Sequence, residues 1–137
     1  MLDWIAGRIQ EGAYGENRNC AQTALLCLGD LFQVFIEPQT LEAAAGLYGA
    51  GGYGAQCGLV EGGLMFLGIY GGKLEKSGEE ISRACLEFAR AFEQKFGSLL
   101  CGKLRPEGFG PDVPLTLCDS LIVRAIDFTY QYMQAAF

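Results

Sequence analysis

The chain of 137 residues contains no histidine. This absence excludes zinc sites of mixed cysteine and histidine ligands, Ser-His and Cys-His nucleophile pairs, and histidine general bases. The chain also lacks any Cys-x-x-Cys pair, although it has six cysteines. A thioredoxin-like dithiol is therefore disfavoured.

Charge and long apolar runs are scarce as well. Only 19% of the residues are charged and the net charge is −6, so no basic stripe exists to neutralise the phosphates of a nucleic acid. The longest apolar run, 62–72, is too short to span a bilayer and directly follows Glu61. The first ten residues include Asp3 and Arg8 and are unlike a signal peptide. We expect a cytoplasmic protein with no membrane span and no nucleic-acid partner.

Apolar residues are abundant and recur at helical spacing. Half of the residues are hydrophobic, which is enough for the core of one domain covering 1–137. No segment alternates like a strand. We expect an all-α, single-domain bundle of about five to six helices with a glycine-rich loop. The predicted helices are 2–13, 20–33, 41–47, 57–70, 79–96 and 117–133, with a brief turn over 99–104.

Capping signals mark several of these helix starts. Asn19 is a good N-cap, and Gln22 follows it at the position of a capping box. Ser77 with Glu80 forms a second such box, Thr116 with Asp119 forms a third, and Gly97 is a plausible stop.

The glycine-rich stretch 46–63 contains eight of the twenty glycines, and within it Cys57 stands at the start of an apolar segment. Glycine at this density permits positive φ and close approach of backbone to other groups. Inside the predicted helix 57–70, Gly58, Gly62 and Gly68 each lower helix propensity by roughly 1 kcal/mol relative to alanine. We expect neighbouring backbone to lie close to them in compensation. Glu61 is interpreted as a carboxylate that complements the helix N-terminus.

The six cysteines divide into two groups by their positions in the predicted helices. Four of them fall in the first turns of predicted helices: Cys20, Cys57, Cys101 and Cys118. Unpaired N–H donors and the helix dipole favour a thiolate at such positions. Cys27 and Cys85 lie mid-helix among apolar neighbours, where cysteine packs as a small hydrophobe.

The segments around the first group carry a family resemblance. They are Asn19-Cys20-Ala21-Gln22, Cys57-Gly58-Leu59-Val60-Glu61-Gly62, Phe96-Gly97-Ser98-Leu99-Leu100-Cys101 and Leu117-Cys118. Together they resemble the redox-active family named for its C_GCAxxG_C_C cysteine pattern. The chain departs from that pattern at Cys57-Gly58-Leu59, where the family name has alanine directly after the cysteine. A similar domain occurs in split-Soret cytochromes, to which an iron–sulfur centre is attributed.

The resemblance implies a shared role for Cys20, Cys57, Cys101 and Cys118, as catalytic thiols or as metal ligands. A four-thiolate iron–sulfur cluster of the [2Fe–2S] type is the first hypothesis, with a backbone wall formed by Gly51, Gly52, Gly54 and Gly58. Dithiol/disulfide exchange, a structural zinc site and a helical assembly module with packed cysteines remain alternatives. The protein would be an oxidoreductase or an electron carrier with a redox partner protein. Whether the segment 62–72 lies inside one subunit or forms the contact of a homodimer is left open.

Overall fold

A computed structural model describes residues 1–15, 17–104 and 119–137. Within these residues the chain forms eight helical segments and no strand, which confirms the all-α prediction. They are α1 (Leu2–Gln10), α2 (Cys20–Phe32), α3 (Pro38–Ala43), α4 (Gly49–Gly52), α5 (Gly58–Lys73), α6 (Gly78–Phe96), α7 (Cys101–Leu104) and α8 (Asp119–Ala136). Their number exceeds the predicted five to six because three of them, α3, α4 and α7, are only four to six residues long.

Two of the predicted caps are confirmed. The Asn19 side chain accepts from the Gln22 N–H and the Gln22 side chain accepts from the Asn19 N–H, as a capping box requires. Ser77 and Glu80 form the same reciprocal pair at the start of α6, which ends at Gly97 with a left-handed φ of 92°. The third predicted cap, at Thr116, lies outside the described residues.

Several predicted helix ends are wrong. The helices expected to end at 70 and at about 133 each run three residues further, to Lys73 and Ala136. Two other helices differ more, for identifiable reasons. The helix expected over 2–13 ends at Gln10, because Gly12 takes a positive φ of 71°. The helix expected over 41–47 instead spans Pro38–Ala43. Proline suits the first helical position, because its φ is already set and it has no N–H to leave unpaired. After Ala43 the chain continues as turns, in which the Ala45 N–H donates to the Glu42 carbonyl and the Leu47 N–H donates to the Ala44 carbonyl.

Helix α5 is the centre of the molecule and packs against α2, α6 and α8. Its Phe66 and Leu67 are fully buried. A β-carbon added at Gly62 would lie 2.7 Å from the carbonyl oxygen of Ala21, so the expected close approach of backbone is confirmed at this position. At Gly68 the expectation is wrong, because an added β-carbon would have no neighbour within 4 Å. Although α5 is apolar on nearly all sides, no helix in the described part of the chain is long and apolar enough to cross a membrane.

Candidate functional site

Three of the four predicted site cysteines lie at helix starts. Cys20 is the first residue of α2 and Cys101 the first of α7. Cys57 precedes α5 as its N-cap, with extended φ and ψ of −60° and 137°, so the helix begins one residue later than predicted. Cys57 and Cys101 are only 3% and 2% exposed, and Cys20 is partly buried. Cys118 lies outside the described residues, so its prediction stays a prediction.

The start of α2, which carries Cys20, is tied to the segment that leads into the glycine-rich loop. The Nδ2 atom of Asn19 donates to the carbonyl oxygens of Ala44 and Ala45 at 3.0 and 2.9 Å. The Nε2 atom of Gln22 donates to the Leu41 carbonyl at 2.9 Å. The Leu41 and Ala44 carbonyls also accept from the backbone N–H groups of Ala44 and Leu47, so the amides add a second donor to each. The Ala45 carbonyl accepts from Asn19. The two residues flanking Cys20 and Ala21 therefore cap their own helix and hold a neighbouring one.

A short backbone pairing brings the segment before α5 against the segment before α7. Gln56 and Leu100 form an antiparallel bridge, in which the Cys57 N–H donates to the Leu99 carbonyl at 2.8 Å and the Cys101 N–H donates to the Ala55 carbonyl at 2.7 Å. Alternate residues of paired segments lie on the same face. Cys57 and Cys101 therefore share the inner face of this pairing, which agrees with their burial.

Two glycines allow backbone to lie directly against the side chains of Cys20 and Cys101. A β-carbon at Gly58 would lie 2.6 Å from the Leu47 carbonyl oxygen and 3.1 Å from the Cys20 β-carbon. A β-carbon at Gly49 would lie 3.0 Å from the β-carbon and 3.4 Å from the sulfur of Cys101, and Gly49 also has a positive φ of 71°. The absence of a side chain at Gly58 therefore allows Cys20 to lie close to the Cys57 turn. The absence of one at Gly49 allows the loop to pack against Cys101. We call Cys20, Cys57 and Cys101, with Gly49 and Gly58, the thiol site.

The other predicted wall glycines have different surroundings. Gly54 pairs with the residue after Cys101, since its carbonyl accepts from the Gly102 N–H at 3.2 Å. Gly51 is exposed, and a β-carbon there would have no neighbour within 4 Å. The N–H groups of Gly51, Gly52 and Gly54 donate to carbonyls of the loop itself. These hydrogen bonds stabilise the loop conformation.

Sequence reasoning missed Gly49 as a site residue. It is one glycine among eight in the stretch 46–63, and nothing in that stretch distinguishes the glycine that faces a cysteine distant in sequence. Its buried position and positive φ are properties of the folded loop.

Glu61 belongs to the first turn of α5, as predicted, but it also has a side-chain partner. Its Oε1 atom accepts a hydrogen bond of 2.7 Å from Nε2 of Gln56. Gln56 is the residue paired with Leu100 and precedes Cys57. The carboxylate therefore connects α5 to the pairing that carries Cys57 and Cys101.

The two remaining cysteines behave as packing residues. Cys27 is completely buried on α2, and burial raises its pKa from 9.0 to about 11. Burial also raises the pKa of Cys85. A raised pKa lowers the thiolate fraction, and the thiolate is the form that reacts and binds metals. Both side chains are suited to the core.

A metal centre among these side chains would have an all-thiolate donor set, because histidine is absent. Such a set suits iron–sulfur clusters and zinc. In residues 1–15, 17–104 and 119–137, no group of three or more histidine, cysteine, aspartate or glutamate side chains has the arrangement to hold a metal ion. The predicted four-ligand set includes Cys118, which is outside these ranges, so the set as a whole stays a prediction.

The fold and the thiol site define a class of small helical proteins whose cysteines start helices around a glycine-rich loop. A family model described as "Putative redox-active protein (C_GCAxxG_C_C)" matches residues 18–132, and the chain belongs to this family. The matched range includes all four predicted site cysteines. No curated protein and no solved structure matches the chain.

Proposed function

We propose that this protein carries out redox chemistry through Cys20, Cys57, Cys101 and Cys118, whose four thiolates bind an iron–sulfur cluster of the [2Fe–2S] type. The observation that carries the proposal is the approach of three helix starts to one glycine-rich loop. Cys57 and Cys101 share one face of the backbone pairing, and Cys20 lies against Gly58, the next residue after Cys57.

The position of these cysteines supports a thiolate role in preference to simple packing. Helix starts offer N–H groups and the positive end of the helix dipole, both of which stabilise negative charge on sulfur. Cys27 and Cys85 lack such positions and have raised pKa values. Cys57 and Cys101 are nearly as buried as Cys27. In this proposal the N–H groups at their helix starts offset the desolvation that raises the pKa of Cys27 and Cys85.

The four cysteines would hold the cluster, and when bound it would supply one-electron transfer. The burial of Cys57 and Cys101 would limit access of water, and solvent exposure is one of the properties that set the potential of such centres. The same four thiolates would also accept zinc, which has no redox chemistry. Membership in a family described as redox-active supports the hypothesis of a redox centre over that of a zinc site.

Dithiol/disulfide exchange is the second candidate, and the shared face of Cys57 and Cys101 favours it. Exchange needs two thiols that approach each other and a partner dithiol that supplies or removes two electrons. In either case the other half of the reaction is a redox partner protein. We place the protein in the cytoplasm, since Cys27 and Cys85 are free thiols and a reducing compartment preserves such groups.

The test is expression in iron-supplied cells under anaerobic conditions, followed by the visible spectrum and the iron, sulfide and zinc content. We expect iron and sulfide in equal amounts and an absorbing centre. We expect Cys57→Ser to abolish both, because it removes a ligand. Cys85→Ser is the matched control, since it makes the same change at a packing cysteine and should retain the centre.

A colourless protein without iron or sulfide would refute the cluster. A thiol count that falls by two on oxidation and is restored by reductant would then establish the dithiol candidate. Zinc bound with a 1:1 stoichiometry and lost in Cys57→Ser would instead establish a structural metal site.

A further inference from the structure

A hydrogen bond between two side chains spans the turn that carries Cys57. Nε2 of Gln56 donates to Oε1 of Glu61 at 2.7 Å, which joins the residue before Cys57 to the first turn of α5. Both residues are partly buried. A hydrogen bond to a carboxylate is stronger than one between neutral groups. The Gln56–Glu61 pair is thus a second connection across this turn, besides the backbone bond from the Glu61 N–H to the Cys57 carbonyl at 3.0 Å.

Gln56 is also the residue at which the loop meets the segment before α7. Its carbonyl accepts from the Gly49 N–H at 3.1 Å, and it is the bridge partner of Leu100. Gly49 in turn lies against Cys101. Gln56 therefore connects the Cys57 turn to the glycine-rich loop and to the segment before α7.

We propose that Glu61 is a positioning residue for Cys57 and that it acts through the side-chain amide of Gln56. The proposal rests on the proposed function, in which Cys57 is a working thiol. It assigns Glu61 a task beyond complementing the helix dipole, because a dipole partner needs only negative charge, whereas a positioning residue needs an acceptor at this place. The two tasks separate in the variant Glu61→Gln, which removes the charge and keeps a carbonyl oxygen for Gln56.

The test is the alkylation rate of Cys57 at one fixed pH, resolved by mass spectrometry on full-length protein that has been purified and then reduced. Cys57 is 3% exposed, so reagent reaches it only when the turn opens. We expect Glu61→Ala and Gln56→Ala each to raise the rate by about three- to tenfold, the effect of one lost hydrogen bond. Glu61→Gln should restore a rate close to that of the unchanged protein. The double variant should match either single variant, because the two changes remove the same interaction.

Glu80→Ala is the matched control. Glu80 also lies in a first helical turn and has a side-chain partner, Ser77, but it belongs to α6. A similar acceleration in Glu80→Ala would show general loosening and would overturn the proposal. The proposal would also be overturned if Glu61→Gln reacted as fast as Glu61→Ala, because that result would identify an effect of charge. Alkylation rates that do not change in any variant would overturn it as well.

These rates do not depend on the cofactor question. A protein found without cluster, zinc or disulfide would refute the proposed function, yet the ratio of Cys57 alkylation rates between variants would still report whether Glu61 positions the turn. Conversely, unchanged rates alongside an iron–sulfur centre would refute only the positioning role.

Discussion

Replacement of Gly62 by alanine tests whether close backbone packing between α2 and α5 holds the thiol site together. The added β-carbon would lie 2.7 Å from the carbonyl oxygen of Ala21 and 3.0 Å from the β-carbon of Ala24. Neither atom can rotate away, because one belongs to backbone and the other is attached directly to it. The two helices would have to separate by several tenths of an ångström, and Cys20 lies on the helix that would move.

The magnitude follows from two opposing effects. Alanine in place of glycine inside a helix stabilises by about 1 kcal/mol, whereas overpacking a well-filled core costs about 1–3 kcal/mol. The contact with a backbone oxygen puts Gly62 at the upper end of that range, so we expect a net loss of about 1–2 kcal/mol. Gly68→Ala is the matched control on the same helix, because its β-carbon meets nothing within 4 Å. We expect it to stabilise the protein by about 0.5–1 kcal/mol.

Urea unfolding followed by circular dichroism measures both free energies. A decrease in the midpoint for Gly62→Ala and an increase for Gly68→Ala, with unchanged slopes, is the expected result. In a domain of this size the melting temperatures should also differ in opposite directions, by roughly 3–5 °C per kcal/mol. If Gly62→Ala were as stable as Gly68→Ala, the close α2–α5 contact would be refuted.

Two further predictions concern the caps and the buried thiols. Asn19→Ala should lower the free energy of unfolding by about 2–3 kcal/mol, because Asn19 caps its helix and also donates to the Ala44 and Ala45 carbonyls. Ser77→Ala, which removes only a cap, should lower it by about 1 kcal/mol. Equal losses in urea unfolding would show that the two bonds to Ala44 and Ala45 contribute nothing. Burial raises the pKa of Cys27 from 9.0 to about 11, so the unfolded thiol ionises first. Stability from this group is therefore complete below about pH 9 and is lost as the pH rises to about 11, by about 2–3 kcal/mol. Unfolding measured across this range should show a smaller decrease in Cys27→Ala, and an equal decrease would contradict the assignment.

Local features of the chain could be predicted because their partners lie within one helical turn. The Asn19–Gln22 and Ser77–Glu80 boxes each join residues three positions apart, and a pattern of this kind is readable without the fold. The interior placement of Cys27 followed from helical periodicity in the same way. The contacts of the segment after α3 could not be predicted, because the Ala44 and Ala45 carbonyls accept from Asn19, which lies 25 positions from Ala44.

The sequence by itself determined the helical class, the helix starts at Cys20 and near Cys57, and the division between cysteines at helix starts and cysteines inside helices. These properties arise from spacing, capping and turn chemistry, which act over a few residues. Only the tertiary structure decided that Cys57 and Cys101 share one face, that Gly49 rather than Gly51 meets a thiol, and that Gly62 is crowded while Gly68 is open. Those outcomes depend on which distant segments pack together, and two glycines in one helix are chemically identical until a neighbour approaches one of them.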